Sequence, residues 1–155
     1  CDAIKTWSNA PASKLRDEVA PHVHFAIYQA LASPRLEIKR ASAVSLGGGV
    51  YKVEIGIANT GWLGTEISEW AQKNKIVLPL TAEISGATLV EGAPRVKLGQ
   101  LDGRVKFRVS GDAKSDGTPD RVLHSWLIRG EKGQRVTLTA THQRAGVASA
   151  IVELP

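Results

Sequence analysis

The chain has 155 residues, with 20 Lys and Arg against 15 Asp and Glu, and it contains a single cysteine. This length suits one domain whose core is large enough to fold without a disulfide or a metal ion. The net charge of +5 is spread along the chain, which favours a solvated surface over a nucleic-acid-binding stripe. No run of about eighteen apolar residues is present, so we expect no membrane span. Methionine is absent, and we therefore expect the sequence to be a piece of a longer protein.

The first predicted element is a helix between Ser13 and Ala32. Apolar residues recur there at spacings of three and four, which is typical of an amphipathic helix. Pro21 interrupts the pattern, so we expect either a kink or a longer helix that begins at Pro21. His22 and His24 lie in this segment, but residues two apart on a helix point in different directions, which argues against a shared metal ion.

From residue 35 onward the sequence predicts an antiparallel β-sandwich. Strands at 35–44 and 50–58 alternate apolar and polar residues and are joined through a glycine triplet, which predicts a hairpin. Residues 65–74 show helical spacing behind Thr65, which we expect to cap a short helix that bridges the two sheets. Further short β-branched runs are separated by Gly, Asp and Pro turns, as in many sandwiches. These predicted strands are 80–85, 95–98, 104–109, 122–129, 135–141 and 147–154.

The sequence contains no complete catalytic constellation. His124 and His142 would approach each other if their strands paired, but no third ligand stands at a supporting spacing. The loop 111–120 carries three carboxylates, yet Lys114 within it argues against a cation cage. No serine lies on a glycine elbow, and Cys1 is terminal. We therefore expect no catalytic residue, no metal ligand and no cofactor in this chain.

The tryptophans and one cluster of cations are the remaining candidates. Trp126 has apolar residues on both faces of its strand, which predicts a position in the core. Trp62 and Trp70 lie in a turn and in the bridging helix, so they are better candidates for an interface or a ligand platform. A stand-alone module that binds carbohydrates or polyanions would use these two rings for stacking, together with three cations that share one strand face. The three cations are Arg104, Lys106 and Arg108.

One segment makes the sequence recognisable. In this segment an alternating strand runs into Asn59-Thr60-Gly61-Trp62-Leu63-Gly64-Thr65. Other segments contribute to the same resemblance, and they lie at 6–11, 24–26, 33–38, 68–71, 99–103, 124–128 and 144–146. Together they resemble the region after the catalytic domain in bacterial zinc carboxypeptidases of the carboxypeptidase A superfamily. Members of that family often have proline where Gly64 stands here.

The resemblance implies a non-catalytic C-terminal accessory domain of an exported, periplasmic or secreted enzyme. Residues 1–34 would be the end of the peptidase domain or a linker, and residues 35–155 an immunoglobulin-like β-sandwich. The zinc-binding His-x-x-Glu motif of the family has no counterpart here, so zinc would belong to the missing catalytic domain. The implied partners are that upstream peptidase domain and the peptide or cell-wall substrate of the parent, with no nucleic acid.

Overall fold

The computed structural model of the protein describes residues 11–104 and 120–155. The chain divides into two compact units, Cys1–Ala32 and Ser33–Pro155.

The first unit contains helix α1, Leu15–Leu31. Asp17 and Glu18 lie in its first turn, where carboxylates interact favourably with the helix dipole. The helix continues through Pro21, so the predicted alternative of a helix that begins at Pro21 is wrong. A single proline removes one amide donor, and the turns on either side of it retain the helix. Neither of the described helices is long and apolar enough to cross a bilayer.

The second unit consists of strands arranged in two antiparallel sheets, which confirms the predicted β-sandwich. The strands are β1 Leu36–Gly47, β2 Val50–Asn59, β3 Leu80–Ser85, β4 Thr88–Leu89, β5 Arg95–Gly99, β6 Arg121–Arg129, β7 Arg135–His142 and β8 Gly146–Glu153. The first sheet has the order β1-β2-β6-β4 and the second has the order β5-β3-β7-β8. The predicted strand at 104–109 lies outside the described residues except for Arg104. The two-residue strand β4 is too short to leave a pattern in the sequence.

The connection between β2 and β3 carries the chain from one sheet to the other and contains a short helix, as predicted. This helix, α2, runs over Glu69–Lys73, which is shorter than the predicted range 65–74. Its N-cap is Ser68, whose hydroxyl accepts a hydrogen bond from the backbone N–H of Ala71 at 3.2 Å. The prediction that Thr65 caps the helix is therefore wrong, because the Thr65 side chain is fully buried and bonds elsewhere.

The core lies between the two sheets and follows the alternation of the strands. The four alternate residues of β2 from Tyr51 to Ile57 are buried, and β6 sets its own inward residues opposite them. Trp126 pairs with Val53 in this register and is 4% exposed, which confirms its predicted place in the core. Its indole N–H donates to the carbonyl of Ala93 at 3.3 Å, so the polar edge of the ring has a partner.

Candidate functional site

The turn formed by Asn59 to Thr65 is the place where four of the eight recognisable segments meet. Pairing of β1 with β2 sets Leu36 opposite Asn59, which brings the segment 33–38 to one side of the turn. On the other side, the backbone N–H of Thr65 donates to the carbonyl of Leu101 at 2.9 Å. The segments therefore occur far apart in the sequence but form one structural unit.

Asn59 is the polar centre of this turn and is 1% exposed. Its Oδ1 accepts from the backbone N–H groups of Arg35 and Gly61, both at 3.0 Å. Its Nδ2 donates to the backbone carbonyls of Leu63 at 2.8 Å and Asp102 at 3.1 Å. The side-chain amide thus uses its two donors and both acceptor positions, which no other residue of similar size can do.

Two glycines allow the backbone to pass unusually close on each side of the turn. A Cβ added at Gly61 would lie 2.2 Å from the carbonyl oxygen of Ser33. A Cβ added at Gly103 would lie 2.1 Å from the carbonyl oxygen of Trp62. Any side chain at either position would force the backbone apart, so the tight packing of the turn depends on both glycines.

A buried polar network continues from Thr65 to the end of β7. The Thr65 hydroxyl donates to Oε1 of Gln100 at 2.7 Å and accepts from the backbone N–H of Leu101 at 2.8 Å. Nε2 of His142 lies 3.1 Å from the same Gln100 oxygen, while its Nδ1 accepts from the backbone N–H of Arg144 at 3.1 Å. The neutral ring therefore carries its proton on Nε2, and burial lowers the pKa of His142.

The guanidinium of Arg144 closes this network. It donates to the carbonyls of Gly64 at 3.4 Å and Thr65 at 3.3 Å, which joins the loop after β7 to the turn. The carboxylate of Glu66 occupies the space where a side chain at position 64 would begin. A Cβ added at Gly64 would lie 2.8 Å from Oε2 of Glu66. One oxygen of Glu66 is buried and has no hydrogen-bond partner among the described residues. A proline at position 64 would require Glu66 to move.

Charged side chains cover the edge of the turn beside β1. The Glu37 carboxylate accepts from the Thr60 hydroxyl at 2.9 Å and from the guanidinium of Arg35 at 2.7 Å, and it also bonds Lys39. The hydrogen bond from Lys39, followed by that from Thr60, lowers the pKa of Glu37 to about 2. Glu37 is therefore an anion at neutral pH and is already neutralised by its neighbours.

The turn and the residues that follow it also present apolar side chains to solvent. Trp62 is 51% exposed at the tip of the turn, and Trp70 in α2 is 67% exposed. Ile67 is 62% exposed and has a φ of 71°, a region that β-branched residues rarely adopt. We call residues 62–76 the apolar crossover. Its five exposed large apolar residues are Trp62, Leu63, Ile67, Trp70 and Ile76.

The other predicted candidates lie in different places. Arg104 is exposed beside the turn, and its backbone N–H donates to the Gly61 carbonyl at 3.3 Å. The other two cations of its cluster, Lys106 and Arg108, fall outside the described residues, as does the carboxylate loop up to residue 119.

The two histidines that the sequence placed on neighbouring strands do not lie on paired strands. β6 and β7 belong to different sheets, so the predicted approach of His124 to His142 through strand pairing is wrong. His124 instead packs edge-on against Trp126, with ring centroids 4.5 Å apart. Among residues 11–104 and 120–155, no group of three or more His, Cys, Asp or Glu residues is placed to hold a metal ion.

Sequence reasoning singled out this turn for its tryptophan and missed the residues that build it. Asn59 is a polar residue at the end of an apolar strand, and that position is the signal that could have marked it as a buried anchor. Gln100 and His142 gave no such signal, because their partners are more than thirty residues away in the chain.

A comparison with protein-family models matches residues 35–153 of this chain to a domain of unknown function, DUF8731. The chain belongs to this family. The DUF8731 match includes the eight strands of the described residues and the whole turn, and it starts after α1. No curated protein matches the chain.

Proposed function

We propose that this chain is a non-catalytic accessory domain that follows the catalytic domain of an exported zinc carboxypeptidase-like peptidase. The sandwich would stabilise or orient that catalytic domain, or help to hold its peptide or cell-wall substrate. The observation that carries the proposal is the apolar crossover, which the buried turn holds against the sandwich with its large side chains in solvent.

The apolar crossover has the composition of a protein interface. Its five exposed large apolar residues fall within fifteen positions of the chain, and concentrated apolar exposure marks interaction surfaces more often than chance does. Two of the five are tryptophans, a residue type that is enriched in the centres of interfaces. The surface therefore suits a large, partly apolar partner such as a neighbouring domain.

Backbone strain in the crossover supports the same interpretation. Ile67 combines a positive φ with high exposure, so neither backbone preference nor burial in this sandwich accounts for an isoleucine there. An isoleucine that packs against a partner would recover its burial when the interface forms. Strained residues of this kind tend to lie at functional positions.

The resemblance to the carboxypeptidases supports the identity of the partner. Four of the eight segments that carry it meet at the turn that holds the crossover in place, namely 33–38, 59–65, 99–103 and 144–146. The catalytic zinc and its glutamate base would lie in the upstream peptidase domain. Export to the periplasm or beyond follows from the resemblance alone.

Strand order supports an immunoglobulin-like interpretation of the sandwich. The sequence of neighbours β1-β2-β6 faces β3-β7-β8, which corresponds to strands A-B-E facing C-F-G in immunoglobulin domains. Domains of this architecture commonly serve as rigid modules beside catalytic domains, because their function resides in surfaces and loops.

The first test compares this chain with the natural full-length protein. Bound zinc and the trimming of peptide C-termini are measured for both. We expect the full-length protein to hold zinc and to trim peptides, and we expect this chain alone to do neither. Stoichiometric zinc or peptide cleavage in this chain alone would overturn the proposal.

The second test addresses the surface. The double variant Trp62→Ala, Trp70→Ala is made in both lengths, with Ile151→Ala as the control, because Ile151 is 66% exposed on the outer face of β8. We expect the double variant to lower the melting temperature and peptide trimming of the full-length protein while leaving the melting temperature of this chain nearly unchanged. Equal destabilisation of both lengths would show that the tryptophans serve the fold and not a partner.

A stand-alone carbohydrate- or polyanion-binding module is the second candidate. The observation in its favour is that Trp62 and Trp70 expose half or more of their surface, as stacking rings must. Binding through the rings should change little with salt, whereas binding through Arg104 and its neighbouring cations should weaken steeply. Saturable binding of an oligosaccharide that Trp62→Ala abolishes, without a change in melting temperature, would favour this candidate over the accessory domain.

A further inference from the structure

A cleft of about 400 Å³ lies at the outer surface of the second sheet, and His142 of the buried network is part of its lining. Its floor is one row of residues across three strands, because Lys97 of β5 and Thr141 of β7 both pair with Thr81 of β3. Leu78 and Pro79, which precede β3, form an apolar wall. The volume falls in the range of sites that bind small molecules.

The register directs the side chains of this row outward. Val96, Ala82 and Ala140, the neighbours of the row along β5, β3 and β7, pack in the core or against it, so the residues next to them face solvent. Adjacent strands are about 4.8 Å apart, so the three side chains of the row lie within reach of one small ligand.

Among the described residues that line the cleft, those with charged side chains are cations. Arg95 and Lys97 are both exposed, and the described part of the chain gives neither of them an ion-pair partner. The nearest carboxylate in the register is Glu83, which lies opposite Arg95 and does not line the cleft. Lys97 belongs to the row that forms the floor, so it is the cation best placed to meet a bound anion.

The neutral polar groups of the cleft offer donors as well. Oε1 of Gln143 accepts from the backbone N–H of Leu78 at 3.3 Å, which leaves the amide N–H₂ of Gln143 available to a ligand. The Thr141 hydroxyl also has no hydrogen-bond partner in the described chain. His142 lies beneath them, and its two ring nitrogens are occupied by Gln100 and Arg144, so it contributes a wall and not a charge.

We infer that this cleft binds a small carboxylate with an apolar body, with Lys97 and Arg95 on the carboxylate and Leu78 and Pro79 against the apolar part. The described lining offers hydrogen-bond donors and cations but no carboxylate, which favours an anionic ligand. The apolar wall favours an organic anion with an apolar part over an inorganic ion. The last residue of a peptide and a fatty acid share this chemistry. The inference does not depend on the proposed accessory role, because it concerns other residues on the sheet face.

The test uses N-acetyl-leucine as the probe for a peptide end and octanoate as the probe for a fatty acid, with N-acetyl-leucinamide as the uncharged match. Binding is followed by backbone amide shifts in NMR titrations at about 0.1 M salt, where charges more than about 10 Å apart are largely screened. We expect shifts at Thr81, Lys97 and Thr141 with one or both carboxylates and much weaker binding of the amide. The stronger of the two carboxylates identifies the source of the ligand.

The variant Lys97→Gln should weaken carboxylate binding about tenfold, because it removes one charge-assisted hydrogen bond. The control is Arg135→Gln, an exposed cation at the far end of β7, about 20 Å away along the strand and beyond the range of unscreened attraction. Both side chains are exposed, so both variants should keep the melting temperature of the parent. The inference is overturned if neither carboxylate binds, if the amide binds as well as the acid, or if the two variants weaken binding equally.

Discussion

The core between the sheets and the apolar crossover contain the same residue types in opposite environments. Trp126 is 4% exposed in the core, whereas Trp70 is 67% exposed in the crossover. The core is specified by alternation along the strands, and burial of its side chains holds the two sheets together. The crossover is instead held by hydrogen bonds of Asn59 and Thr65, so its apolar side chains are not needed to fix its position. Apolar residues that the fold does not use are the ones that indicate a partner.

The largest expected effect comes from comparing tryptophans in the two regions. Trp126→Ala should lower the free energy of unfolding by about 3–5 kcal/mol, because it leaves a cavity between the sheets. Trp62→Ala should lower it by less than about 1 kcal/mol, since half of that ring is already in solvent. Urea unfolding of both variants measures the difference. Similar losses in the two variants would mean that the crossover belongs to the core.

The next effect concerns the polar base of the crossover. Asn59→Ala removes four hydrogen bonds, two of them buried and two partly buried, so we expect a loss of about 2–4 kcal/mol in the free energy of unfolding. Asn74→Ala is the matched control, because its Nδ2 donates to the Trp70 carbonyl at 2.8 Å at an exposed site. The control should lose less than about 1 kcal/mol. A small effect at Asn59 would contradict the idea that this amide holds the turn.

Acid should destabilise the domain through His142, which is buried, and His124, which is half-buried. Burial lowers the pKa of His142 and of His124, while histidines of the unfolded chain titrate near about 6.5. The unfolded chain therefore takes up protons that the folded chain resists, so stability is constant above about pH 6.5 and falls as the pH drops below it. Glu37 titrates in a separate window, because its pKa of about 2 is held down by Lys39 and Thr60.

Urea midpoints at about pH 7.5 and about pH 5.5 measure this dependence. His142→Gln should reduce the difference between the two midpoints, and His124→Gln should reduce it separately. If both variants retain the full difference, the histidines are not its cause.

The smallest expected effect is a gain. Ile67→Asn should raise the free energy of unfolding of this chain by up to about 1 kcal/mol, because asparagine adopts a positive φ at lower cost than a β-branched residue. Ile76→Asn is the control in the same crossover, since Ile76 has an ordinary φ and is 54% exposed. Thermal unfolding of the two variants measures the difference. If Ile67→Asn lowers the stability of this chain, the isoleucine stabilises the sandwich.

Much of the sandwich could be predicted because alternation is a local signal. The hairpin of β1 and β2, the strand of Trp126 and the bridging helix all follow from patterns within about ten residues. The prediction that Thr65 caps the helix was wrong for the same reason. The spacing after Thr65 is that of a helix start, but its hydroxyl donates to Gln100, which lies far along the chain. A local sequence pattern carries no information about a competing hydrogen-bond partner from a distant part of the chain.

By itself, the sequence determined the β class, the helical preface and the inward face of the first two strands, because periodicity of apolar residues decides which face is buried. Only the tertiary structure decided that four distant segments meet at Asn59 and Thr65, and that Lys97, Thr81 and Thr141 form one row. Strand register and sheet order set those meetings, and both depend on pairings between residues that are far apart in the chain.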